Sequence, residues 1–305
     1  MGWPDGLWGR MHNDDKLIQG MAWGGTFRIL AARTTAAANE ARTRMDLSPV
    51  AAAAAARAMT GAVLLARLLD KDVPYQRVTL RFEGGGPLGL LVAEGTVRGE
   101  VRAFVSNPHV EDTAVDVGAA VGGEGKLTVI RAVPPEGAAY TSQVSLVSGE
   151  IAKDLAHYLG HSEQIASAVL LGQVVRRTGI EAAGGLVVQA FPHTSEAARE
   201  EMEKRLRRAP PLSTLLERMP IEDAIQEVLA GIDYKSIDSS FDVPIRFSCS
   251  CTRERALRQF QFLPPAEVGE LIAAGEGSEV VCQFCGEKYH FSSDDLLALT
   301  SPPDA

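Results

Sequence analysis

Apolar and polar positions follow three successive rhythms along this chain. Residues 30 to 70 are Ala-rich, with Met59, Val63, Leu64 and Leu68 at spacings that share one helix face, and they predict a core helix. From Arg77 to Val133 the pattern alternates, broken by Gly and Pro: VTLRF, GLLVAEGTV, VRAFVS and LTVIRAV predict sheet strands, and Tyr140 to Val147 another. Ser148 is placed to cap a helix over Gly149 to Leu159, with Ile151, Leu155, Tyr158 and Leu159 on one face and Gly160 as its stop. Two apolar runs follow, AVLLGQVV from Ala168 and GLVVQAF from Gly185, and the Gly-containing turn between them predicts paired strands. Residues 1–194 thus predict one α+β domain, a mixed sheet with helices.

Beyond Pro192 the rhythm changes again. Ser195 to Arg208 is charged at nearly every position, with a thin apolar row at Ala198, Met202 and Leu206, a helix of little stability by itself. After Pro210 and Pro211 come two short amphipathic pieces, Leu212 to Met219 and Ile221 to Leu229. In the second, Ile221, Ala224, Ile225, Val228 and Leu229 fall at helical spacing and need a neighbour's surface. Residues 195–239 therefore predict a metastable helical linker, leading into a small C-terminal domain over 240–305.

Composition narrows the function. Apolar residues make up 46% and charged residues 23%, the profile of a folded protein. The net charge of −9 argues against nucleic acid as a partner, since phosphate binding needs a basic face. The first fifteen residues lack the order of a signal peptide, and Gly6 stands where a myristoylation signal needs Ser or Thr. The longest apolar run, Val50 to Ala56, is far short of a membrane span. A reducing cytoplasm with no membrane partner is the expectation.

In that compartment clustered cysteines point to metal or redox chemistry, not to structural disulfides. All four cysteines lie between 249 and 285: C-S-C, thirty intervening residues, then C-Q-F-C. Zinc prefers four thiolates in a tetrahedron, and two close pairs joined by a loop supply Cys249, Cys251, Cys282 and Cys285 as ligands. The alternative is four ordinary core cysteines. His290 is near, but four thiolates fill the shell, so it is expected outside it. A tail of about sixty residues gains only a few kcal/mol from its core, against about 10–16 kcal/mol of apparent binding energy for structural zinc. Sulfurs around tetrahedral zinc stand about 3.8 Å apart, given bonds of about 2.3 Å, whereas a disulfide needs about 2.05 Å. Metal and disulfide exclude each other at one pair of sulfurs, so the tail holds the parts of a redox switch.

No catalytic set emerges. Gly84, Gly86 and Gly89 match a dinucleotide fingerprint literally, but Pro87 interrupts it and a strand follows. Gly125-Lys126 lacks the rest of a phosphate loop, and Ser162 beside His161 lacks a nucleophile elbow.

The cysteine pairs at this interval, with CQFCGEKYHF closing the tail, resemble the heat-shock protein 33 family of redox-regulated bacterial chaperonins. EGGGPLG (83–89), SGEIAKDLAHYLGHSEQ (148–164), SAVLLG (167–172) and AGGLVVQAFP (183–192) are similar to that family's marks in the same order. The resemblance implies an ATP-independent holding chaperone and no enzyme. It would be zinc-bound and inactive when reduced, and activated for unfolding client proteins by oxidation together with unfolding, as a homodimer. It also implies disulfides joining Cys249 with Cys251 and Cys282 with Cys285. Two rivals remain: a thiol-disulfide oxidoreductase, for which Cys282 lacks the βαβ setting, and a structural zinc ribbon that would keep its metal under peroxide.

Overall fold

The computed structural model describes residues 15–69, 73, 76–111, 115–132, 139–237 and 242–300. The chain forms two compact units that divide between Ser248 and Cys249. The N-terminal segment read for targeting signals, residues 1–14, lies outside the described residues.

The first unit opens with β1 (Lys16–Ala22) and β2 (Phe27–Arg33), an antiparallel pair with Leu17 opposite Ala32. The helix expected over 30–70 begins later and is divided. Residues 30–33 belong to β2, and α1 (Thr35–Met45) is separated from α2 (Pro49–Ala66) by Asp46 in a left-handed conformation at φ 49°. Ile29, Leu30, Ala31 and Ala32 of FRILAAR are buried in succession, and four apolar residues in a row between Arg28 and Arg33 carry no period to distinguish strand from helix. α2 exceeds the run Val50–Ala56 and is long and apolar enough to cross a membrane; here it is a core helix, buried nearly throughout. It packs on strands of both large sheets. Gly95 permits this closeness, since a Cβ there would stand 2.4 Å from the Val63 nitrogen.

The alternating segments form the expected strands: β3 (Arg77–Glu83), β4 (Leu90–Thr96), β5 (Glu100–Val105), β6 (Lys126–Ala132) and β7 (Tyr140–Ser145), with the short α3 (Val117–Val121) before β6. Val133, assigned to the fourth run, lies outside the described residues. The literal glycine fingerprint is a packing device: a Cβ on Gly84 or Gly86 would meet the carbonyl oxygens of Gly122 or Ala120 at 2.2 and 2.4 Å. α4 (Ile151–His161) runs through Gly160 rather than stopping there, and the Ser148 hydroxyl accepts from the Glu150 amide just outside the helix. β8 (Ser167–Arg176) and β9 (Gly179–Ala190) form the expected antiparallel hairpin.

α5 (Glu196–Arg208), capped by the Ser195 hydroxyl, α6 (Leu212–Arg218) and α7 (Ile221–Val228) follow. Their apolar faces find the surface they need: Met202, Leu216, Ile221, Ile225 and Val228 bury against Phe27, Ile29, Leu186 and Val188 of the first sheet. Three short strands close the unit, β10 (Tyr234–Ser236), β11 (Val243–Pro244) and β12 (Arg246–Phe247). β10 and β11 pair with β1, giving the order β10-β1-β2-β9-β8 with β11 beside β1, and β12 joins β5 in the sheet β12-β5-β4-β3-β6-β7. β12 runs parallel to β5 among antiparallel neighbours, so that sheet is mixed and the fold is α+β.

The second unit holds α8 (Arg253–Leu257), a 3-10 turn over Arg258–Phe262, α9 (Pro265–Ala274), the hairpin β13 (Ser278–Val281) and β14 (Lys288–Phe291), and α10 (Ser293–Thr300). Its core is small: Ala256, Phe260, Phe291 and Leu296 are buried together, with the two phenylalanine rings edge to face at 5.6 Å.

Candidate metal centre

Two local devices present the sulfurs. β13 delivers Cys282, whose carbonyl accepts from the amides of Cys285 at 3.3 Å and Gly286 at 2.8 Å. Gly286 takes φ 71°, a conformation a Cβ would strain, and the chain then returns along β14. The Cys282 amide donates to the Glu287 carbonyl at 2.8 Å and closes the knuckle. Cys249 and Cys251 lie outside any helix or strand, just ahead of Thr252, whose backbone is extended and whose hydroxyl accepts from the Arg255 amide to start α8.

These devices bring all four sulfurs within 4.8 Å of one another. Cys249 Sγ is 3.7 Å from Cys282 Sγ, and Cys251 Sγ is 3.4 Å from Cys285 Sγ, so each pair reaches across to the other. Such separations fit soft ligands around one tetrahedral ion and are too long for a disulfide. Burial raises the pKa of the Cys282 thiol, and burial pushes Cys285 further up, helped by the three other sulfurs that share hydrogens with it. Four thiolates could not share this space without a cation among them.

His290 stands outside the cluster as expected: it is exposed and faces Glu279 across the hairpin, at 3.4 Å. Tyr289 is the residue that the sequence reading missed. Its hydroxyl donates to Cys251 Sγ at 3.2 Å, and that bond holds the phenol well above its ordinary pKa. The alternation of KYHF carried the signal, since it sets Tyr289 and Phe291 on one face and Lys288 and His290 on the other. Arg253 braces the same hairpin. Its guanidinium lies 4.6 Å from the centre of the Phe291 ring, donates to the His290 carbonyl and pairs with Asp295 at 2.9 Å, which holds the Asp295 carboxyl down to about 2.

Residues 15–292 match the family model described as Hsp33 protein. A 33 kDa chaperonin of Thermus thermophilus is 46% identical over 94% of this chain and 86% of its own length. That of Deinococcus radiodurans is 38% identical over 93% of this chain and 97% of its own. The crystal structure of a 33 kDa chaperonin from Thermotoga maritima, at 33% identity, superposes with a TM-score of 0.81 over 94% of this chain and 98% of that one.

Proposed function

The chain belongs to the Hsp33 protein family, and from that premise we propose that it is a redox-regulated, ATP-independent holding chaperone of the cytoplasm. Its partners are unfolding proteins, not nucleic acid or membrane, and it carries out no catalysis. The observation that carries this reading is the gathering of four thiols within 4.8 Å inside a unit with a very small core.

In the resting state Cys249, Cys251, Cys282 and Cys285 hold one Zn2+ as thiolates. The ion neutralises their charge, fixes their positions and supplies much of the folding energy of residues 240–305. Tyr289 orients Cys251, and Arg253 holds the hairpin that carries the C-x-x-C pair. When a peroxide oxidises the site, two electrons leave each pair of thiolates and an S–S bond forms. The oxidant is reduced, and sulfurs drawn to about 2.05 Å can no longer serve as ligands. The resemblance assigns the bonds as Cys249 with Cys251 and Cys282 with Cys285.

The output lies in the linker, residues 195–239, over the core domain, residues 1–194. β12 ends one residue short of Ser248, and the Ser248 amide still donates to the Val101 carbonyl at 3.0 Å. Once the following unit melts, this anchor frays, and α5–α7 have little stability apart from the apolar surface they share with the sheet. Their release exposes Phe27, Ile29, Leu186 and Val188 together with their own apolar faces, the kind of surface to which unfolding clients adhere. The active form is a homodimer.

The test is the aggregation of a chemically unfolded client, followed by light scattering while released zinc is read with a chromogenic chelator. The reduced protein should retain one zinc per chain and leave aggregation unchanged; peroxide should release the metal and suppress aggregation. Zinc retained under peroxide would return the tail to a plain structural ribbon.

A further inference from the structure

Among the described residues, the outer edge of β1 is covered only by the linker and the strap that follows it. β10 sets Ser236, Lys235 and Tyr234 opposite Gly20, Met21 and Ala22, and β11 sets Pro244 and Val243 opposite Lys16 and Leu17. Between and beyond them, the Ile237 amide donates to the Gln19 carbonyl at 2.9 Å, Trp23 to Asp233 at 2.9 Å and Ile245 to Asp15 at 2.8 Å. The cover is short, held through backbone groups, and closed at Pro244 by a residue that has no amide to donate.

We propose that this edge, once uncovered, receives an extended segment of the client as an added antiparallel strand. The inference rests on the release of the linker proposed above and names the surface that release makes available. The occupant follows from what sits there now: extended chain whose side chains at Lys235 and Ser236 are exposed, so the edge reads backbone rather than sequence. Unfolding proteins of any composition offer such segments, and an unpaired edge of seven residues is a template for them.

One position is selective. A Cβ on Gly20 would stand 2.4 Å from a Tyr234 ring carbon, so the missing side chain leaves a slot that the ring fills. Tyr234 is half-buried there against the apolar cluster. When it leaves, the slot favours a client segment that brings an aromatic residue to the same register.

Residue-resolved hydrogen exchange on the full-length protein tests this at the outward-facing amides of Met21 and Trp23. Both should be protected in the reduced, zinc-loaded protein, exchange at least tenfold faster after peroxide, and slow again by at least tenfold when a chemically unfolded client is added. In the oxidised protein an extended Tyr-containing peptide should bind more tightly than its Tyr→Ser counterpart, and Gly20→Ala should erase the difference while keeping one zinc in the reduced form. Fast exchange that persists with client bound would overturn the proposal alone. Protection that returns without client and grows with protein concentration would give the edge to a second copy and also overturn it. Protection unbroken by oxidation would overturn the linker's release as well.

Discussion

Arg33, buried on β2, donates to the carbonyl oxygen of Leu216 at 2.7 Å, and the same guanidinium nitrogen reaches the Met219 carbonyl at 2.5 Å. A charge in the core domain thus satisfies the C-terminal end of α6, where carbonyls have no partner within the helix and the dipole favours a cation. Arg205 does the same for α7 within the linker, donating to the carbonyls of Val228 at 2.9 Å and Glu227 at 2.6 Å.

Arg33→Met should therefore loosen the linker without touching the cysteines. Hydrogen bonds from a charged donor are worth about 1.5–3 kcal/mol each, so protection of amides in 212–229 should fall by at least tenfold in the reduced protein. Aggregation suppression in reductant should rise with it. Unchanged protection would show that apolar packing alone holds α6.

Tyr289→Phe removes the donor to Cys251 and leaves the ring. Partners of ligating groups are typically worth about ten- to a hundredfold in metal affinity. Zinc competition with a chelator should show a loss of about tenfold, and peroxide should release the metal faster, since the sulfur is left more nucleophilic. Equal affinity and rate would make the contact incidental.

The rhythm of the chain made most of the α+β order and the four-cysteine set legible, because strand alternation and C-x-C/C-x-x-C spacing are local signals. The first two strands were not. In FRILAAR the residues Ile29, Leu30, Ala31 and Ala32 are apolar and buried in succession, so no alternation betrays the period, and the alanines after it favour helix wherever packing permits. β10, β11 and β12 are two or three residues long, too short to show a period, and exist only because β1 and β5 offer edges. The roles of Arg33 and Tyr289 depend on partners 183 and 38 residues away, which no spacing announces.

Asp15 supplies a pH test. Its carboxylate accepts from the Ala37 amide at the start of α1, and burial raises its pKa from 3.8 to about 6 despite that bond and the charge of Arg33. A carboxyl raised in the folded state contributes stability that is fully present below the unfolded value and lost as pH rises through about 6. Two units correspond to about 3 kcal/mol. Thermal unfolding of wild type and Asp15→Asn should accordingly diverge between pH 4 and 7, with wild type gaining relative to the variant as pH falls. Parallel curves would place Asp15 in an ordinary solvated setting.

Deleting residues 240–305 removes the four cysteines together with β11 and β12. Light scattering of an unfolding client should show the truncated chain suppressing aggregation in reductant, as the oxidised full-length protein does. A folded truncation that stays inert with or without oxidant would place the client surface in the tail.

The central claim is that the state of the four sulfurs governs whether the linker covers the sheet. Hydrogen exchange over residues 212–229, followed through one cycle of peroxide and then reductant with zinc, tests it most directly. Protection should be lost as zinc leaves and return when it is rebound, while α2 stays protected throughout. Protection that persists while the metal is released and the disulfides form would contradict the account.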